Sequence, residues 1–174
     1  MIPNLIVASP KDGEELSNML DFSLTQNKPI AIKYPKSYIG RYDVHTPITL
    51  GKWEILKNEG DIVILANSAK AVEIANQIDK VTVVNARFNK PLDYEMLDSF
   101  MDKNIITIED SMLRGGFGES VLAYLNPKGY NKSFHPIGFD DRFITETESV
   151  NAYKKAGLTV ENVKSVINNM NKTL

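Results

Sequence analysis

Five consecutive apolar residues, Ile62-Val63-Ile64-Leu65-Ala66, stand between the turn pair Gly60-Asp61 and the cap-forming pair Asn67-Ser68. A run this short, continuous and β-branched has no polar face to offer water, so it reads as a central strand covered on both sides. It is far too short to cross a bilayer. Similar β-type segments at residues 53–56, 81–84, 105–108 and 134–138 alternate with helical spacings. The helical positions are Ala71, Val72, Ala75 and Ile78, then Leu97, Phe100 and Met101, then Val121, Leu122 and Leu125, and finally Val160, Val163, Ile167 and Met170. Ser68 and Asp93 are placed to cap the first two. This alternation predicts an α/β domain from about Thr46 onward, with a mostly parallel sheet of about five strands and helices on both faces.

A smaller block precedes it. Residues 5–8 and 29–34 read as strands, and Leu16, Met19, Leu20 and Leu24 between them mark one helix face behind the turn Ser9-Pro10-Lys11-Asp12. Residues 35–47 are polar and aperiodic and read as a linker. A strand–helix–strand unit is too small to hold its own core. It must pack on the second block or on protein beyond this sequence, so the chain reads as a piece of a longer one.

Composition narrows the function classes. The 174 residues suffice for one domain with an attached element. Twenty basic and 22 acidic residues are mixed along the chain, and no concentrated basic face invites nucleic acid or an anionic membrane. No charged segment followed by an apolar one opens the chain as a signal peptide does. Cysteine is absent and there are only two histidines. Disulfides, thiolate chemistry and a His-rich metal site are therefore excluded, in keeping with a reducing cytoplasm.

Six segments carry a family resemblance. They are Ile2-Pro3-Asn4-Leu5-Ile6-Val7-Ala8-Ser9-Pro10, Lys33-Tyr34-Pro35-Lys36, Thr82 through Asp93 with its Arg87-Phe88-Asn89-Lys90-Pro91-Leu92-Asp93 ending, Glu109 through Gly118 with Gly115-Gly116-Phe117-Gly118, Ile137 through Ile144, and Ala156-Gly157-Leu158-Thr159. In this order and spacing they resemble the C-terminal portion of the 1-deoxy-D-xylulose-5-phosphate synthases, a transketolase-like family. The resemblance implies a tail of a pyrimidine-binding domain at residues 1–46 and a transketolase-type C-terminal domain at 47–174. It also implies thiamine diphosphate and Mg²⁺ as cofactors of the whole enzyme, which condenses pyruvate with glyceraldehyde 3-phosphate and loses carbon dioxide. The Gly-Asp-Gly motif that places Mg²⁺ and the diphosphate is not in this sequence, nor is the segment with the activating glutamate. This chain alone is expected to be inert and to hold no cofactor. The partners implied are the missing domains of the same enzyme and a second copy in a homodimer.

Among individual residues the resemblance points to Lys36, where the family carries an arginine that binds the acceptor's phosphate. Lysine keeps the charge but not the bidentate fork, so Arg41 is taken as a second substrate-binding residue. Ser37 replaces the family's glycine, and Lys33 is expected to support the loop. The Gly-Gly-Phe-Gly turn could cradle a phosphate, but glycine at a tight turn needs no ligand, and the structural reading is preferred. Arg87, Asp93, Glu109 and Asp110 read as a charged network or caps rather than an acid/base site. His135 reads as a structural histidine within a strand, and His45 is assigned no role. No residue of the chain is expected to be catalytic or to ligate a metal. Two alternatives stay open: a non-catalytic dimerisation domain, and a piece of a transketolase or of a 2-oxo-acid dehydrogenase β-chain.

Overall fold

The computed structural model describes residues 2–36, 40–43, 45–143 and 149–172, with the side chains of Ser149 and Val150 set aside. Ser37 and Ile144, both named above, lie outside the described residues. The smaller block holds β1 (Ile6–Ala8), α1 (Gly13–Leu24) and β2 (Ile30–Ile32). The larger one follows with β3 (Glu54–Asn58), β4 (Ile62–Asn67), α2 (Ala69–Ala75), β5 (Thr82–Asn85) and β6 (Phe88–Lys90). Then come α3 (Tyr94–Asp98), β7 (Asn104–Met112), α4 (Phe117–Leu125), β8 (Phe134–Phe139), α5 (Ser149–Lys155) and α6 (Val160–Lys172).

All six residues of β4 are buried, as the apolar run requires. β4 lies in a five-stranded sheet of order β3-β5-β4-β7-β8, parallel throughout except for the antiparallel edge strand β3. Side chains alternate across it with the two-residue period of a strand. Ile62, Ile64 and Ala66 join Ile106 and Ile108 under α2 and α6, through Val72, Ala75, Val163 and Met170. Val63, Leu65 and Ile105 face the other way, toward Phe117, Val121 and Leu125 of α4 and toward Ile6 and Met19 of the smaller block. The expected domain of five strands with helices on both faces is the one observed.

The smaller block is completed in a way the sequence reading lacked. Its sheet has the order β2-β1-β6: β1 pairs in parallel with β2 and antiparallel with β6, a strand lent by the larger block. The expected face of α1 is also corrected. Glu15 and Met19 are buried, whereas Leu20 is 52% and Leu24 86% exposed. The inner side of this helix is committed at its start to a charge cluster, so the face turns toward Glu15 and away from the two leucines.

That cluster lies at the seam between the blocks. Asp12 caps α1 by accepting from the Glu15 N–H at 2.8 Å, and Glu15 in return accepts from the Lys11 N–H at 2.6 Å. This is a variant of the reciprocal capping box. The Glu15 carboxylate also receives Asn85 at 2.9 and 3.0 Å and Arg87 Nη1 at 3.2 Å. Lys11 Nζ donates to Glu54 at 2.8 Å. Arg87 adds the carbonyls of Lys52, Thr46 and Pro47. The linker is tied to the same seam, because the Tyr42 N–H and His45 Nε2 meet Asp12 Oδ2 at 3.1 and 2.8 Å and the Thr46 N–H meets Glu54 at 2.8 Å.

Removing one partner from such a set leaves another charge buried and unpaired. Glu15→Ala is expected to destabilise the chain by about 3–5 kcal/mol in urea unfolding; a loss within ~0.5 kcal/mol, the ordinary surface range, would contradict the role given to this seam. Acid adds a second test. Burial pushes the Glu54 carboxyl upward, but the Lys11 ammonium and the Thr46 and Asn85 donors outweigh it and hold it below the usual glutamate value. Its stabilisation is therefore complete above the unfolded-state value of about 4.3 and fades as pH falls through the lower folded value. Glu54→Gln should flatten that limb of the stability–pH curve.

Candidate functional site

β2, β4 and β7 bring their carboxyl ends to one edge, where parallel α/β proteins place their ligands. Lys33 follows β2, and its N–H continues the pairing to the Ala8 carbonyl at 2.8 Å. A small cleft of about 50 Å³ opens there between Lys33, Tyr34, Pro35, Ser68, Lys70 and Asp110. Lys36 stands just beyond Pro35, and it and Arg41 are both exposed. Among the described residues neither engages a partner, so an ammonium and a guanidinium are open to an incoming anion. Lys33 meanwhile ties the start of the loop to β7 through its ammonium.

Lys33 Nζ donates to the Asp110 carbonyl at 3.0 Å. Crowding by protein lowers its pKa, against the pull of Asp110 and Glu109. The Asp110 carboxylate accepts from the Tyr153 hydroxyl of α5 at 3.0 Å. Burial first, and then Asp110, push that phenol up to about 12.

The glycine turn is not a vacant phosphate cradle. Glu109 Oε2 accepts from the Phe117 N–H at 2.8 Å and the Ser111 hydroxyl at 2.6 Å, and its Oε1 from the Gly118 N–H at 2.9 Å. Glu119 takes the Gly115 N–H at 2.6 Å, and the Leu113 carbonyl takes that of Gly116. A carboxylate from the chain itself occupies the position a phosphate would take. Glycine is required here by close approach: a Cβ on Gly118 would stand 2.6 Å from Thr107 Oγ1.

The other charged candidates separate in the same way. Arg87 belongs to the buried seam, and Asp93 caps α3 through the Met96 N–H at 3.1 Å while holding the Trp53 N–H at 3.0 Å. These residues do not converge on one point. His135 is exposed on β8 with its pKa lowered by loss of hydration, and its ring makes no hydrogen bond among the described residues; it is not the internally satisfied histidine expected. Sequence reasoning gave no role to His45, whose Nε2 reaches Asp12, placed Lys11 only in a turn, and passed over Glu15 and Glu54. Asp12-x-x-Glu15 was the available signal, since that spacing is the capping box.

Larger clefts lie elsewhere. One of about 430 Å³ beside Met112, Arg114 and Phe117 is mostly apolar, and one of about 620 Å³ carries the acidic Glu14 and Asp21. The first of these also carries the cations Lys90 and Arg114.

Because Glu109 satisfies two helix N–H groups and a hydroxyl, Glu109→Ala should cost roughly 3 kcal/mol, in the range of buried charged hydrogen bonds, read as a shift in the urea midpoint. An unchanged midpoint would mean the turn holds itself.

Comparisons with known proteins agree with this architecture. The model for the family "Transketolase, C-terminal domain" matches residues 51–163. A 1-deoxy-D-xylulose-5-phosphate synthase of Thermus thermophilus is 38% identical over 171 residues, which cover 95% of this chain and 28% of that protein. That of Clostridium tetani is 38% identical over 172 residues, 92% and 28% respectively. The chain thus spans a little over a quarter of the length of these curated relatives. A solved split-gene transketolase, described as an inactive beta4 tetramer, superposes with a TM-score of 0.86 at 23% identity, over 98% of this chain and 59% of that one; it shows the shared fold. The resemblance read from the six segments is borne out. The chain belongs to the transketolase C-terminal domain family.

Proposed function

We propose that this chain is the C-terminal part of a 1-deoxy-D-xylulose-5-phosphate synthase, and that it contributes acceptor-phosphate recognition rather than the reacting centre. One observation carries this reading. The family model begins at residue 51, yet the synthases match 95% of the chain, so the similarity takes in the smaller block and its Lys33-Tyr34-Pro35-Lys36 segment. On this reading residues 1–46 are the tail of the pyrimidine-binding domain and 47–174 the C-terminal domain. Lys36, assisted by Arg41, binds the phosphate of glyceraldehyde 3-phosphate. The whole enzyme works in the cytoplasm as a homodimer.

Thiamine diphosphate and Mg²⁺ belong to that enzyme but do not fit the residues present here. Among the described residues no three carboxylates or histidines gather as metal ligands, and the one glycine turn that could cradle a diphosphate is filled by Glu109. The cofactor site is assigned to the domains that the relatives' remaining length supplies. On this reading the chain by itself is inactive; the similarly folded split-gene transketolase is described as an inactive beta4 tetramer.

Two measurements test the proposal. Calorimetry of the chain with Mg²⁺ and thiamine diphosphate should give no binding tighter than roughly 10 μM, about −7 kcal/mol; tighter binding would refute the domain assignment. In the complete enzyme Lys36→Ala should lower kcat/KM for the phosphorylated acceptor by about 10- to 150-fold, the loss of one charge-assisted contact of ~1.5–3 kcal/mol. Lys36→Arg should retain or improve that acceptor's use, because guanidinium binds phosphate through two parallel bonds. If Arg41→Ala impairs the acceptor while Lys36→Ala does not, the phosphate clamp lies at Arg41 instead.

A further inference from the structure

Among the described residues of the loop, Lys33 is the one fixed to both sheets. Its N–H bonds to the Ala8 carbonyl of β1 at 2.8 Å, and its ammonium bonds to the Asp110 carbonyl of β7 at 3.0 Å, 77 residues away. Pro35 then restricts the backbone one residue before Lys36. The acceptor segment therefore leaves a point held by main chain and side chain alike. A neutral donor would satisfy a carbonyl as well, so the positive charge calls for its own account.

The carboxylates near that charge are otherwise engaged. Asp110 accepts from Tyr153, and Glu109 holds Phe117, Gly118 and Ser111. Among the described residues no carboxylate oxygen pairs directly with Lys33. On the other side of the cleft Lys70 of α2 adds a cation, itself paired with Glu73 at 3.1 Å. The edge thus carries the ammonium of Lys33, with the exposed Lys36 following Pro35 in the chain, and exposed cations draw an anionic ligand.

We propose that Lys33 is a positioning residue for the acceptor's phosphate: bound to the Asp110 carbonyl, it holds Tyr34-Pro35-Lys36 against β7 and lends its charge to the field a dianion meets. This rests on the acceptor reading of the loop given above. Tyr153 supports it through Asp110. The lowered pKa of Lys33, set by lost hydration against the attraction of Asp110 and Glu109, gives the role a pH signature. Lysine is charged below its pKa, so the contribution is present below the lowered value and is lost as pH rises through it. The facing groups are Asp110 and Glu109 from β7, Tyr153 from α5 and Lys70 from α2.

The test uses the complete enzyme loaded with its cofactors, with glyceraldehyde 3-phosphate and unphosphorylated glyceraldehyde as acceptors. Lys33→Ala should raise KM for the phosphorylated acceptor about 10-fold, the weight of one charge-assisted contact. The KM for pyruvate and the use of glyceraldehyde should stay within about twofold, the spread of a neutral change. Lys33→Arg should restore the phosphorylated acceptor and also shift the alkaline rise of its KM to higher pH, because guanidinium keeps its charge. Equal losses with both acceptors, or an unmoved alkaline limb in Lys33→Arg, would overturn the proposal. Should Lys33→Ala fail to fold, Lys33→Gln keeps a donor for the carbonyl, and its phosphate-specific loss or lack of it decides the charge role. Lys36→Ala run alongside separates the two readings. If it impairs the phosphorylated acceptor while Lys33→Gln does not, only the positioning role falls; if neither matters, the acceptor reading of the loop falls with it.

Discussion

Glu15 joins the two halves of this chain through a single carboxylate. It caps the turn into α1 from within the smaller block, and it receives Asn85 and Arg87 from the larger one. Lys11 reaches across the same seam to Glu54. Two cations and two anions, all nearly inaccessible to water, leave water together, and the desolvation of each is offset only while the others stay in place. Apolar contacts could hold the blocks together in several registers. Charges that must meet particular partners admit one, which makes the cluster a device for alignment more than for net stability.

The alignment matters because the smaller block is incomplete on its own. Its sheet takes β6 from the larger block, and Met19 and Ile6 enter a core shared with Phe88, Val84 and Leu97. Once β1 is registered against β6, β2 is placed by its parallel pairing with β1, and the segment from Lys33 onward emerges beside the ends of β4 and β7. The position of Lys36 is thus a consequence of packing some distance away from it. The linker contributes too, since Tyr42, His45 and Thr46 are all anchored at the seam.

Much of the larger block was legible in the sequence because its central strands are buried on both faces and need no context to declare themselves. Ile62 to Ala66 could be little else. β6 was not legible: three residues, one of them apolar, carry no period, and the strand exists because β1 offers an edge to pair with. Leu20 and Leu24 misled for a related reason, as helical spacing marks an apolar face without saying whether anything covers it. The glycine turn was readable as structural, although the carboxylate that fills it lies nine residues before Gly118 in the chain and only the fold brings the two together. Lys36 and Arg41 were named through family resemblance, since nothing in local pattern sets an exposed lysine apart.

Native-state hydrogen exchange on the 174-residue chain is the most direct measurement of the coupling between the blocks. If the buried seam makes them one cooperative unit, the amides of β1 and of the inner turns of α1 will exchange only through the opening that also releases β4. Their free energies of opening will then converge on the same value as denaturant is added. Contradiction would come from β1 and α1 exchanging through a separate opening of much lower free energy while β4 stays protected.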